Sequence, residues 1–200
     1  MRHALEMMTV TREDNVSTFF GNSGIVLDEL QRALAAIDPK QVHQTAEALL
    51  KARRVFFLGA GRSGLALKMA AMRMMHLGLS TYVAGEVITP AIAEGDLLVV
   101  ASGSGTTAGP LHAADVAVKA GASVLALTTA PHSALALLAS LVVTIPAATK
   151  QGGDGSQSQQ YAGALFEQTV LLLMDIVFHD LWHQRGETAE QLWKRHANLE

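Results

Sequence analysis

Asp96-Leu-Leu-Val-Val-Ala-Ser-Gly-Ser-Gly-Thr-Thr107 is the stretch whose reading decides the fold. Its first half is continuously apolar, as a β-strand covered on both faces should be. Its second half crowds hydroxyls and glycines into a turn, and the helical pattern of Leu111 to Ala120 comes next. A strand-to-helix turn aims unpaired backbone N–H groups and the positive end of a helix dipole at one point. Such a point suits a phosphate. Ser102, Ser104, Thr106 and Thr107 can donate to its oxygens, while Gly103 and Gly105 let the backbone come close. The turn lacks the lysine of a P-loop and the G-x-G-x-x-G spacing of a dinucleotide fold, so a lone phosphomonoester fits better than a nucleotide. The same composition also serves a loop that merely caps its helix.

Working outward, four more short β-rich runs appear: Arg54–Leu58, Thr81–Ala84, Val124–Thr128 and Leu141–Ile145. Helical patterns at Gly64–Leu77, Leu111–Ala120 and Ser133–Leu138 separate most of them, while Gly85 to Gly95 reads mainly as loop. Alternating strands and helices predict a three-layer α/β/α fold on a five-stranded parallel sheet, in the flavodoxin-like order 2-1-3-4-5. Ligands of such sheets sit beyond the carboxyl ends of the strands, where the order reverses. The first strand runs into Gly59-Ala-Gly-Arg-Ser-Gly64, which places a second glycine-rich turn beside the Ser/Thr turn. Ser63 is expected to cap the first crossover helix, and Arg62 to make a charge-assisted contact with an anion.

Two helix-like segments, Ile25–Ile37 and Gln41–Ala52, precede the first strand. Beyond the last strand lies a polar, Gly-rich stretch, Gln151–Ser158, readable as a linker or a lid. A long helix, Ala162–Gln184, and a short one, Ala189–Ala197, complete the chain. Residues 22–200 form one expected domain, and 1–21 an N-terminal extension.

Composition narrows the function classes. The 200 residues are 50% hydrophobic and 16% charged, against a usual ~25% charged. A surface poor in charge points to coverage by other subunits. The net charge of −3 and the lack of a basic cluster argue against nucleic acid as a partner. Without cysteine there is no disulfide framework and no thiolate ligand or nucleophile. The N-terminus has no apolar signal core, and Asp175 interrupts the longest apolar run, Val170 to Phe178. A cytoplasmic protein with no membrane span is expected.

The motifs G-A-G-R-S-G at 59–64 and S-G-S-G-T-T at 102–107 resemble the sugar isomerase (SIS) domain family. His76-Leu-Gly78, Gly85-Glu-Val-Ile-Thr-Pro-Ala-Ile92, Leu165-Phe-Glu-Gln168 and Arg195-His-Ala-Asn-Leu-Glu200 extend the likeness over nearly the whole chain from about Asn22. Within that family the resemblance is to members that act on a hexulose 6-phosphate. Where such members usually carry Q-P-M-G before L-F-E-Q, this chain has Gln160-Tyr-Ala-Gly163. The loss of proline leaves the approach to the long helix less rigid.

The resemblance implies roles for particular residues. A carboxylate early in an apolar helix, as Glu167 is, has a structural reading beside the helix dipole. The resemblance instead makes Glu167 the proton-abstracting base. His76, in the last turn of its helix, reads by position as a dipole partner. The resemblance makes it a second catalytic candidate. It lies at the wrong edge of the sheet for its own subunit's pocket and would serve a neighbour's. His196 is expected to dock on another subunit. Arg62, Ser63, Gln160 and residues Ser102 to Thr107 are the expected substrate and phosphate contacts. His179 and His183 have the i, i+4 spacing of metal ligands, but no third ligand accompanies them. No cofactor and no metal is called for. The expected partners are a phosphosugar and further copies of the chain, as a homotetramer with shared sites. Two alternatives are a non-catalytic SIS sugar-phosphate sensor and a different SIS ketose or aldose phosphate isomerase.

Overall fold

A computed structural model describes residues 12–148 and 158–199. Two helices, α1 (Arg12–Ala35) and α2 (Pro39–Lys51), lead into strand β1 (Val55–Gly59). Then come α3 (Gly61–His76), β2 (Thr81–Val83), β3 (Leu97–Ala101), α4 (Ala108–Lys119) and β4 (Ser123–Thr128). The chain finishes with α5 (Ala134–Leu138), β5 (Leu141–Thr144), α6 (Ala164–Arg185) and α7 (Ala189–Trp193). All strand pairs are parallel, in the order β2-β1-β3-β4-β5, as the sequence leads one to expect. Helix α1 already runs from Arg12, through part of the expected extension, whereas most of the Gly-rich stretch 151–158 lies outside the described residues. Among the described residues, no helix is long and apolar enough to cross a membrane.

The apolar runs have no polar alternation because the sheet is covered twice. Val55, Phe57, Val99, Leu125 and Val143 face one core, shared with α2, α3 and α6. Phe56, Leu98, Val100, Val124 and Ala126 face the other, shared with α4 and α5. The period of two along each strand thus sorts one apolar run into two cores. Joining β2 to β3 without a regular helix, residues 84–96 contain a turn in which Thr89 N–H donates to Glu86 O at 3.0 Å.

At the amino ends of the strands, Asp96 is a buried anchor. Its carboxylate accepts from Arg54 Nε at 3.0 Å, Arg54 Nη2 at 2.5 Å, Arg53 Nε at 3.2 Å and the Ala93 N–H at 2.9 Å. The hydrogen bonds from Arg54 lead in holding its pKa down to about 2, against the opposing effect of burial. The depressed folded value means that Asp96 stabilises the fold above its unfolded pKa of ~3.9, and this contribution fades as pH falls from there toward about 2. Asp96→Asn should therefore cost about 2 kcal/mol at pH 7. In urea unfolding, the gap between wild type and variant should narrow below about pH 4. A gap that stays constant down to about pH 3 would contradict this account.

Candidate active site

At the carboxyl ends of β1 and β3 a cavity of about 490 Å³ opens at the switch point. Ser102, Gly103, Ser104, Thr106 and Thr107 line one side, and Gly61 and Ser63 another. Phe166, on the first turns of α6, closes it from a third. Most of the expected phosphate turn therefore lies on one cavity with the β1–α3 turn. Gly105 is outside the lining and supports the turn from behind.

Hydrogen bonds to the β4–α5 loop hold the turn in shape. Gly103 O accepts from Thr129 N–H at 3.1 Å and from the hydroxyls of Thr128 at 3.0 Å and Thr129 at 2.8 Å. Gly105 O accepts from Leu135 N–H at 3.0 Å. These bonds engage the Gly103 and Gly105 carbonyls behind the turn, and the hydroxyl-bearing Ser102, Ser104, Thr106 and Thr107 are among the residues that line the cavity, which suits an anion.

Among the helices whose N-caps are described, capping distinguishes those around this cavity from the others. Asp38, Ser133 and Thr188 cap α2, α5 and α7 with their side chains. Helices α3, α4 and α6 begin at Ala60, Thr107 and Gly163, none of which makes a side-chain cap bond. Ala60, Thr107 and Gly163 all line the cavity. Thr107 has a hydroxyl able to cap, but it pairs with Ser102 Oγ at 2.9 Å. Three helix N-termini thus bring uncapped first turns and positive dipole ends to one cavity, an arrangement that favours a doubly charged phosphate. The sequence points to two of the three turns. The signal for the third is Gly163, a residue that cannot cap through a side chain, ahead of an apolar helix.

Ser63 departs from its expected role. Helix α3 starts at Gly61 and its N-cap is Ala60, so Ser63 sits inside the first turn, buried, and lines the cavity instead of capping. The helix begins early because two glycines allow it. A Cβ on Gly64 would lie 2.4 Å from Gly59 O, so the first turn of α3 rests directly on the end of β1.

Glu167 is 4% exposed, and its Oε2 lies 2.9 Å from Arg62 Nε. Neither residue is part of the cavity lining, but each adjoins a lining residue in sequence, Phe166 and Gly61 or Ser63. The expected base and the expected anion contact therefore form one ion pair at the cavity margin. Gln160 lies outside the lining. Its side-chain amide donates to Glu29 Oε2 at 3.0 Å. Glu29, on α1, carries no signal in the sequence that would mark it out.

His76 stands at the far end of α3, roughly 22 Å along the axis from Gly61. It is buried, and its ring stacks on His196 of the same chain with centroids 4.8 Å apart. His196 stacks in turn on Trp193 at 4.6 Å. Burial first, then the nearby His196 and Arg73, push the His76 pKa below the usual histidine value. Arg195 donates to His76 O at 2.9 Å and to Glu187 at 2.6 Å, fastening the C-terminal segment onto the end of α3. Nε2 of His183 and Nε2 of His179 are 3.2 Å apart, and no cluster of three or more potential metal ligands occurs among the described residues.

The SIS domain family matches residues 48–172, and the chain belongs to that family. It is 53% identical over 179 residues to a 3-hexulose-6-phosphate isomerase of Mycobacterium gastri, covering 90% of each chain. Against a 3-hexulose-6-phosphate isomerase of Bacillus subtilis the identity is 40% over 176 residues, covering 88% of this chain and 95% of the other. Among solved structures, a Methanococcus jannaschii protein inferred to be a 3-hexulose-6-phosphate isomerase superposes with a TM-score of 0.76 at 26% identity. That alignment covers 90% of this chain and 99% of the other.

Proposed function

We propose that this chain is a 6-phospho-3-hexuloisomerase. It converts D-arabino-hex-3-ulose 6-phosphate to fructose 6-phosphate, the second step of formaldehyde fixation through ribulose monophosphate. The observation that carries this reading is the convergence of three uncapped helix N-termini on a cavity with a buried carboxylate at its margin. The relatives named 3-hexulose-6-phosphate isomerase, similar over 90% and 88% of the chain, support it.

The reaction moves a ketone from C3 to C2. With O6 carrying phosphate, a C3 ketone has only four-membered rings available through O5 or O1, so the substrate is held open-chain. The turn at 102–107 binds the phosphate. Glu167 removes the proton from C2, giving a cis-enediolate, and returns a proton to C3 on the same face. The proton on O2 leaves as O3 gains one. Arg62, which pairs with Glu167, and Ser63, which lines the cavity, are the donors for the developing oxyanion. The test is direct: hexulose 6-phosphate made in situ from formaldehyde and ribulose 5-phosphate should yield fructose 6-phosphate. No product above the enzyme-free rate would overturn the proposal.

The active unit is an oligomer with shared sites. Leu65, Met69 and Met72 form an exposed apolar stripe on α3, and Val87 and Ile88 are almost fully exposed beside the cavity end of the sheet. A second copy covers such surface. His76, remote from its own cavity, then reaches a neighbour's. Glu167→Gln and His76→Ala subunits, each nearly inactive alone, should regain activity after exchange, because some mixed sites combine a wild-type Glu167 with a wild-type His76. Proven exchange without recovery would remove His76 from the chemistry of a neighbouring site.

A further inference from the structure

Glu29 is a carboxylate buried to 4% exposure on α1, outside the cavity lining and outside the reaction sequence above. Both its oxygens are engaged by one short segment. Gln159 N–H donates to Oε1 at 2.7 Å, while Ser158 Oγ at 2.7 Å and Gln160 Nε2 at 3.0 Å donate to Oε2. Ser158 Oγ also accepts from Gln160 N–H at 3.0 Å, so the three residues form one closed network on a single anion. Burial works against the charge, but these hydrogen bonds and the nearby Arg32 outweigh it and keep the carboxyl below its ordinary pKa.

The residues just beyond this segment are strained and close to the chemistry. Ala162 has φ +47° and Gly163 φ +80°, two successive left-handed residues, and left-handed backbone is unfavourable for alanine. Such a conformation persists when its flanks are held. One flank is Gln160, fixed by Glu29. The other is α6, whose first turns carry Phe166 against the phosphate turn and Glu167 against Arg62. The Phe166 ring lies alongside Gly103, where a Cβ would sit in ordinary van der Waals contact with it at 3.5 Å.

We infer that Glu29 is a positioning residue: through Ser158, Gln159 and Gln160 it fixes the left-handed turn at 162–163 and so places Glu167 relative to bound substrate. The inference rests on Glu167 being the base, and it assigns a function to α1, which contributes nothing to the cavity itself. Glutamine in place of Glu29 keeps the volume but removes the charge, so the Gln159 N–H, the Ser158 hydroxyl and the Gln160 side chain lose their charge-assisted hydrogen bonds and the last two must reorient to meet an NH₂ group.

The experiment has two arms. In hydrogen exchange, Glu29→Gln should speed exchange of the Gln159 amide and of the first turn of α6, with the β3 and β4 amides unchanged. In kinetics on hexulose 6-phosphate, kcat should fall roughly 10–100-fold, as for a small misplacement of a reacting group, while KM and competition by inorganic phosphate stay within about twofold. Ser158→Ala, which removes one donor from the other side, should act in the same direction with a smaller effect. Its effect should not add to that of Glu29→Gln, because the two share one network. Unchanged exchange at Gln159, an unchanged kcat, or a rise in KM alone would each overturn the inference. If the wild-type chain makes no fructose 6-phosphate, the proposed reaction fails and this positioning role fails with it, while the exchange arm still reports whether Glu29 holds the segment.

Discussion

Glu167→Gln should lower turnover by at least ~100-fold, the low end of what a general base contributes, while leaving phosphate affinity almost unchanged. The two effects separate because the structure separates the two tasks. In the proposed function phosphate is bound by the turn at 102–107 and by the uncapped N-termini of α3, α4 and α6, none of which uses the Glu167 carboxylate. Glutamine keeps the side-chain volume in a site that is 4% exposed, and its carbonyl oxygen can still accept from Arg62 Nε. Proton acceptance is lost, together with the charge that faces Arg62. In D₂O, wild type should exchange the C3 proton of fructose 6-phosphate through the enediolate, and the variant should not. Turnover or exchange within about threefold of wild type would assign the base elsewhere.

The parts of this molecule that the sequence reveals are those set by local rules. Most of the strands are legible because continuous apolar runs of this length, spaced by helical patterns, have few other uses, whereas β2, Thr81–Val83, is short and is followed by loop. The candidate phosphate turn at 102–107 is legible because its hydroxyls and glycines lie consecutively in the chain. Ser63 looks like a cap in the sequence because the helix start depends on the contact of Gly64 with Gly59, which becomes visible only when the strand and helix are placed together. The ion pair of Arg62 with Glu167 brings together two distant parts of the chain, and the bond between Glu29 and Gln160 joins α1 to the approach of α6. Each joins residues more than a hundred positions apart, and single-sequence periodicity carries no such pairing. His76 is the intermediate case. Its placement away from its own cavity can be had by counting helical turns, whereas its stack on His196 cannot.

Gly105→Ala should raise KM for the phosphosugar at least ~100-fold, whereas Gly109→Ala, in the first turn of α4, should leave it within about twofold. Gly105 has φ +63°, and a Cβ there would lie 1.9 Å from Ser133 Oγ and 2.4 Å from Ser133 Cβ. Serine is too short to swing clear, and its hydroxyl is already used at 3.3 Å to cap α5 through Ala136 N–H. The turn must therefore move away from α5, which breaks the bond from Leu135 N–H to Gly105 O and displaces Ser104 and Thr106 on either side. Losing two hydrogen bonds to a charged phosphate, at roughly 1.5–3 kcal/mol each, corresponds to a change of at least that size. Gly109 lies inside α4 with nothing within 4 Å of its Cβ position, and alanine is the better helix former. Circular dichroism and urea unfolding would show whether each variant keeps its fold, and titration with fructose 6-phosphate would read the affinity directly. A folded Gly105→Ala protein with wild-type affinity would mean that the turn at 102–107 does not hold the phosphate, whatever its resemblance to one that does.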